Sequence, residues 1–166
     1  SAEYAFVTDF ASGKVLTEKQ PDMPMKPASM AKIMTVYIAF ERIADGSLSL
    51  DDTFLISEKA WRKGGSKTFV EVGKQVTVRD LLFGIVVQSG NDAAIAIAEG
   101  ISGTEDGFAE EMNYVARKLG MRNTVFRNST GWPDPEQFTT ARDLNILATA
   151  LIRDFPADQY PELYPM

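Results

Sequence analysis

Residues 27–35 read Pro27-Ala28-Ser29-Met30-Ala31-Lys32-Ile33-Met34-Thr35. A proline is tolerated in the first turn of a helix, so a helix is predicted to begin near Ala28. Its apolar face is formed by Ile33, Met34, Tyr37, Ile38 and Ile43. Gly46 is placed to end this helix. Ser29 and Lys32, three residues apart, are expected to share one face of it.

A serine and a lysine on one helical face suggest nucleophilic catalysis. A serine hydroxyl is a weak nucleophile until a neighbouring base takes its proton. The amine of Lys32 could be that base if burial lowers its pKa. Backbone N–H groups at the start of the helix could stabilise an oxyanion formed at Ser29. The pattern Ser-x-x-Lys is also common by chance, with Ser as a cap and Lys in solvent, so it needs further context.

The composition excludes several kinds of chemistry. The 166 residues contain no His and no Cys, which removes the Ser-His-Asp triad, His-ligated zinc, thiol nucleophiles and disulfides. Any hydrolytic chemistry must then use Ser, Thr, Lys, Tyr or carboxylates. The net charge of −6 and the scattered basic residues argue against nucleic acid as a partner. No apolar run is long enough to cross a bilayer, and we expect any signal peptide of an exported protein to have been removed.

The order of predicted elements is strands followed by helices. Residues 4–10 and a second strand beginning at Val15 predict a hairpin around the turn 11–14. Thr77, Thr104 and Thr140 are predicted N-caps of later helices, and a further helix is expected from Asp92. Because a lone hairpin is marginal, the sequence predicts an α/β (α+β) fold with an incomplete antiparallel sheet. We expect one partial domain, with a sheet hairpin at 1–18, a helical subdomain at 27–155 and a connector at 156–166.

Ser89, Gly90 and Asn91 interrupt two apolar helical runs. These residue types are favoured in turns, so the segment could be a simple connection. It could also bring a hydroxyl and a carboxamide to the floor of a cleft between buried helices. The residues alone leave both interpretations open.

Taken together, the two segments resemble a known family. Ser29 with Lys32 and Ser89 with Asn91 resemble the Ser-x-x-Lys and Ser-x-Asn motifs of serine penicillin-recognising enzymes, and the 60-residue interval between the two serines is similar. Low-molecular-mass penicillin-binding proteins, the D-alanyl-D-alanine carboxypeptidases, are similar over further segments: residues 27–35, 76–82, 88–94, 108–113, 119–121 with Thr124, and 140–144. The resemblance covers nearly the whole chain and corresponds to the N-terminal part of the family.

This resemblance implies a β-lactamase/penicillin-binding transpeptidase-like fold, with a helical subdomain packed on an antiparallel sheet. It implies a serine D-Ala-D-Ala carboxypeptidase that acts on peptidoglycan stem peptides and is acylated by β-lactams. Ser29 would be the nucleophile and Lys32 its base, Ser89 would relay a proton, and Asn91 would bind the substrate amide. The resemblance also implies export to the periplasm or cell-envelope face, and no cofactor.

The third motif of the family, Lys-Thr-Gly, is absent from these residues. Lys67-Thr68-Phe69 is a near match, but it precedes Ser89 and lacks the glycine that lets a substrate approach a strand. We expect the motif beyond Met166, in what we call the extended protein. Residues 1–166 alone are then expected to be inactive and to self-associate through an exposed sheet edge.

Three alternatives remain at this point. A serine β-lactamase shares the first two motifs, although Gly90 stands where class A enzymes usually have Asp. Glu136 could stand for the deacylating Glu of those enzymes, but the Asn expected four residues later is missing. A non-catalytic β-lactam sensor would acylate and stay acylated. An inert helical fragment with coincidental motifs is the least specific interpretation.

Overall fold

The predicted nucleophile helix lies at the centre of the molecule. In the computed structural model, which describes residues 2–68 and 71–164, a 3-10 turn at Ala28–Met30 leads into helix α1 at Ala31–Ala44. Nine of the fourteen residues of α1 are buried, so this helix is enclosed on most sides rather than amphipathic. It contacts four other helices. Gly46 follows with a left-handed φ of +85°, in agreement with the predicted helix end.

The N-terminal hairpin is also present. Strands β1 (Ala5–Thr8) and β2 (Val15–Lys19) pair antiparallel, with Ala5 opposite Lys19. All of β2 is exposed, including Leu16. One face of β1 is held by a later helix, since the Asn145 amide donates to the Phe6 carbonyl. The α/β class with a small antiparallel sheet therefore agrees with the prediction.

Four of the five remaining α-helices that the structure describes begin after a serine or threonine cap, and the fifth follows Gly90 without a side-chain cap. Their bounds are α2, Glu58–Arg62; α3, Val78–Gln88; α4, Asn91–Ser102; α5, Glu105–Leu119; and α6, Ala141–Asp154. Thr77, Thr104 and Thr140 each accept a hydrogen bond from the backbone N–H three residues later, as predicted. Helix α4 begins at Asn91, one residue before the predicted start.

A second small hairpin was not predicted. Strands β3 (Thr53–Leu55) and β4 (Gln75–Thr77) pair antiparallel, and the short helix α2 lies between them. Strands of three residues carry too little alternation to be recognised from sequence. The hairpin packs closely, because a β-carbon at Gly100 of α4 would lie 2.2 Å from the Phe54 ring.

Large apolar side chains remain exposed on one side of α3 and nearby. Phe83, Val86 and Val87 are each about half exposed, as is Ile152 of α6. A surface patch of this kind normally marks a contact with further protein. None of the helices that the structure describes has the length and apolar character required to cross a membrane.

Asp143 provides a test of how the C-terminal helix is fixed. Its buried carboxylate accepts hydrogen bonds from the Asn123 N–H (2.8 Å) and the Thr124 hydroxyl (2.7 Å). Because both donors would lose a charged acceptor, Asp143→Ala should lower the free energy of unfolding of the extended protein by about 2–4 kcal/mol. Urea denaturation with an unchanged m-value measures this loss.

The matched control is Asp80→Ala. Asp80 holds the equivalent position after its own threonine cap, but it is exposed. It should lose only the helix-dipole contribution of about 0.3–1 kcal/mol. Equal losses from the two substitutions would contradict the role given to the buried carboxylate.

Candidate active site

Ser29 and Lys32 lie together at the start of the central helix. The Lys32 Nζ donates to the Ser29 Oγ over 3.4 Å. The lysine side chain is buried, with 5% exposure, whereas Ser29 is exposed. Burial lowers the pKa of the Lys32 amine below its usual value, because desolvation disfavours the ammonium form. The pair therefore combines an accessible hydroxyl with an amine whose neutral form is favoured.

Both side chains open into one cavity of about 280 Å³. Its lining consists of Ser29, Lys32, Ile33, Val36, Ile85, Val86, Ser89 and Leu151. The structure thus brings the Ser89 residue of the second motif to the same cavity as the first motif. Lys32 is the one ionisable side chain in this described lining, and the other walls are largely apolar. A negative charge that develops at Ser29 would be screened only weakly by these apolar walls.

The backbone of Ser89 adopts an unusual conformation. Its φ of +53° and ψ of +41° are left-handed, which is uncommon for a residue with a β-carbon. Ser89 ends α3, and its N–H donates to the Ile85 carbonyl at 3.0 Å. The chain then turns sharply into α4. This turn is what places the Ser89 side chain at the cavity rather than on the outer surface of a continuous helix.

Asn91 forms hydrogen bonds with the chain at Gly64 and Ser66 and does not face the cavity. Its carboxamide nitrogen donates to the Gly64 carbonyl at 2.9 Å, and its backbone N–H donates to the Ser66 carbonyl at 2.8 Å. It is buried and is not among the residues that line the cavity of Ser29 and Lys32. No hydrogen bond joins Asn91 to Lys32 within the part of the chain that the structure describes.

The 63–68 loop is therefore attached to the second motif. Asp92 strengthens this attachment, because its carboxylate accepts bonds from the Thr68 N–H at 2.9 Å and the Thr68 hydroxyl at 3.0 Å. A β-carbon at Gly90 would lie 2.0 Å from that hydroxyl, so Gly90 leaves the room that Thr68 occupies. No pattern in the sequence indicated this pairing. Lys67 and Thr68 of the near match belong to the same loop, and Phe69 lies outside the described residues.

Glu136 is not among the residues that line the cavity of Ser29 and Lys32. Its carboxylate pairs with Arg127 at 3.7 Å, and its side chain is 70% exposed. This placement agrees with an ordinary loop glutamate. Among residues 2–68 and 71–164, no cluster of three or more acidic side chains is arranged to hold a metal ion.

Comparisons with known proteins identify the family. Residues 1–163 match the peptidase S11 family, described as D-alanyl-D-alanine carboxypeptidase. The chain is 42% identical over 156 residues to D-alanyl-D-alanine carboxypeptidase DacC of Escherichia coli, covering 90% of this chain and 39% of DacC.

Solved structures give the same result for the fold. The crystal structure of the D-alanyl-D-alanine carboxypeptidase DacD of Francisella tularensis matches with a TM-score of 0.92 and 44% identity, over 99% of this chain and 38% of that one. Penicillin-binding protein 5 of Haemophilus influenzae matches with a TM-score of 0.90 and 39% identity, over 93% of this chain and 46% of that one. This chain spans less than half the length of each of these relatives. It belongs to the D-alanyl-D-alanine carboxypeptidase family of peptidases.

Proposed function

We propose that this chain carries the nucleophile of a serine D-Ala-D-Ala carboxypeptidase that acts on peptidoglycan stem peptides. The observation that carries the proposal is the convergence of Ser29, Lys32 and Ser89 on one cavity, with Lys32 buried beside the Ser29 hydroxyl. Family membership supports the choice of substrate, since the relatives are named for D-alanyl-D-alanine. The chain spans 39% of DacC, so the activity is proposed for the extended protein.

The acylation step uses three side chains of the cavity. The neutral Lys32 amine takes the proton of the Ser29 hydroxyl, and the Ser29 oxygen attacks the carbonyl carbon of the penultimate D-Ala. The Ser29 N–H is proposed as one donor to the oxyanion that forms. When the C–N bond breaks, the proton passes from Lys32 through Ser89 to the nitrogen of the departing D-Ala. An ester between Ser29 and the shortened peptide remains.

Hydrolysis completes the cycle. A water molecule gives a proton to the Lys32 amine and attacks the ester carbonyl, and the proton returns to Ser29 as the acid leaves. A β-lactam ring presents a reactive amide to the same hydroxyl, so β-lactams are proposed to acylate Ser29. The Haemophilus relative is a penicillin-binding protein by name, which supports this proposal. Because stem peptides lie outside the cytoplasmic membrane, an exported, cell-envelope location follows from the substrate.

Asn91 is proposed to bind the substrate amide through the part of its carboxamide that remains available. A carboxamide has two N–H donors and one carbonyl acceptor, and the Gly64 carbonyl uses one donor. The bond to Gly64 would then fix the side-chain rotamer. This is an advantage for binding, because less side-chain entropy is lost when the substrate arrives.

The nucleophile assignment predicts the result of labelling with fluorescent penicillin. In the extended protein, Ser29→Ala should abolish labelling, because the chain has no Cys or His to replace the hydroxyl. Lys32→Ala should slow acylation by roughly 10²–10⁴-fold, the usual contribution of a positioned base. Ser47→Ala, an exposed serine after the same helix, is the control and should label at the parent rate. Unchanged labelling of Ser29→Ala would show that another group is the nucleophile.

The lowered pKa of Lys32 predicts a pH dependence. The amine acts as a base only when neutral, so the acylation rate should rise with pH along one limb. Because burial lowers the pKa of Lys32, the midpoint of this limb should lie below the value of about 10.4 for an exposed lysine. Stopped-flow acylation from pH 5 to pH 11 measures it. In Lys32→Arg the limb should vanish, since a guanidinium does not deprotonate in this range; a limb retained in that variant would assign the titration to another group.

The absence of Lys-Thr-Gly predicts the behaviour of residues 1–166 alone. We expect negligible turnover of a peptide ending in D-Ala-D-Ala, because losing even one oxyanion donor costs about 10²–10³ in rate. The exposed side chains of Phe83, Val86 and Val87 should also cause self-association, measurable by analytical ultracentrifugation. Adding the following strands as a separate polypeptide should restore a monomeric complex and activity. A monomeric short form with the turnover of the extended protein would contradict this proposal.

A further inference from the structure

The residue before the nucleophile has a backbone conformation that needs outside support. Ala28 has a φ of +49°, in the left-handed region that residues with a β-carbon rarely adopt. This angle sets the direction in which the chain enters the turn Ala28–Met30 and hence the orientation of the Ala28–Ser29 peptide. Such conformations persist only where the surrounding structure enforces them.

The support is the backbone of Gly131. A β-carbon at this position would lie 1.7 Å from the Ala28 carbonyl oxygen, 2.4 Å from its carbon and 3.2 Å from the Ser29 nitrogen. Gly131 is itself left-handed, with a φ of +82°. Its backbone therefore packs directly on the peptide group that joins Ala28 to Ser29, with no room for a side chain.

The segment that carries Gly131 is fixed from behind. Ser129 is fully buried, and its N–H and hydroxyl both donate to one oxygen of Glu105, at 3.1 and 2.7 Å. The other Glu105 oxygen pairs with Lys59 at 2.9 Å. Burial alone would raise the pKa of the Glu105 carboxyl, but the hydrogen bonds from Lys59 and Ser129 outweigh it, and the pKa lies below its usual value. Glu105 is therefore an ionised anchor at the start of α5.

One further contact joins this segment to the nucleophile helix, and another closes the loop on itself. The Ser129 carbonyl accepts a hydrogen bond from the buried Thr35 hydroxyl of α1 at 2.8 Å. The Gly131 N–H donates to the Asn128 carboxamide oxygen at 2.8 Å, within the loop. The position of the 128–131 loop against α1 is thus fixed through Ser129, independently of the contact with Ala28.

The chain just before Ala28 is held by residues 134–139, which follow the 128–131 loop. Met25 and Thr139 exchange two backbone hydrogen bonds, at 2.9 and 2.8 Å. The Lys26 ammonium donates to three backbone carbonyls of this 134–139 segment, those of Asp134, Pro135 and Gln137, at 2.9, 3.3 and 3.1 Å. The segment that leads to Ser29 is therefore fixed by these contacts, so that little freedom remains at Ala28.

We propose that Gly131 is a positioning residue for Ser29: the anchored 128–131 loop holds Ala28 in its left-handed conformation and so aims the Ser29 N–H and hydroxyl. This inference rests on the proposed acyl-transfer function. Gly131 acts through the Ala28–Ser29 peptide and need not touch the substrate. A side chain at 131 would push that peptide away and turn the oxyanion donor from the reacting carbonyl.

The test is Gly131→Ala in the extended protein. Misdirecting one oxyanion donor should lower kcat for a D-Ala-D-Ala peptide by roughly 10²-fold. KM should change little, because the oxyanion is present only in the transition state and intermediate. The pH at the midpoint of the acylation limb should not move, since Lys32 is untouched. A purely structural loss of active protein would instead lower the number of sites that penicillin can label.

Gly46→Ala is the matched control. Gly46 has a φ of +85°, nearly equal to that of Gly131, but a β-carbon there would meet nothing within 4 Å. It therefore introduces the same backbone strain without the contact. Gly46→Ala should lower the melting temperature and leave kcat at the parent value. A Gly131→Ala protein with parent kcat would overturn the inference.

If Gly131→Ala does not fold, Ser129→Ala decides the matter. It removes the hydroxyl donor to Glu105 and retains the backbone bonds, so the loop is loosened rather than displaced. Assayed well below its melting temperature, it should show kcat reduced by about tenfold or more at unchanged KM. A parent kcat in this folded variant overturns the inference. Loss of labelling in Ser29→Ala tests the proposed function separately, so the two failures are distinguishable.

Discussion

The burial of Lys32 is the constraint on which the rest of the site depends. An ammonium group loses hydration when it is enclosed, so a lysine in the core favours its neutral form. Lys32 is enclosed because α1 itself is enclosed, with four helices packed around it. The packing of apolar residues around α1 therefore lowers the pKa of the amine that the proposed mechanism uses as its base.

How much of the fold and the site could be predicted from the sequence depends on how far apart along the chain the interacting residues lie. The threonine caps, the hairpin and the shared face of Ser29 and Lys32 are local patterns, and the structure contains each of them. The contacts of Gly131 with Ala28 and of Glu105 with Ser129 join separate parts of the chain. Glycine in a polar loop and glutamate in the first turn of a helix are so common that neither signals such a contact. The resemblance to a family identified the motifs but not these supports.

In the second motif, Asn91 has a structural role beside its proposed role in substrate binding. Asn91 and Asp92 both bind the 63–68 loop, through the Gly64 carbonyl and through Thr68. A loop without regular structure needs such partners, because its backbone polar groups have no ladder to satisfy them. A substitution at Asn91 would therefore release this loop as well as remove the proposed substrate contact. The kinetic effect of such a substitution would combine the two losses.

Strain is concentrated where the chemistry is proposed. Of the three described residues that are left-handed without being glycine, Ser89 lines the cavity, Ala28 precedes the cavity residue Ser29, and Gln20 follows β2. Local preference disfavours the conformation of Ala28, so this conformation is imposed by distant parts of the chain. For Ala28 that part is the 128–131 loop, which α5 and α1 hold in turn. It follows that Ser29, the proposed nucleophile, does not acquire its geometry from its own helix alone, and that this geometry also requires the C-terminal half of this chain to pack against α1.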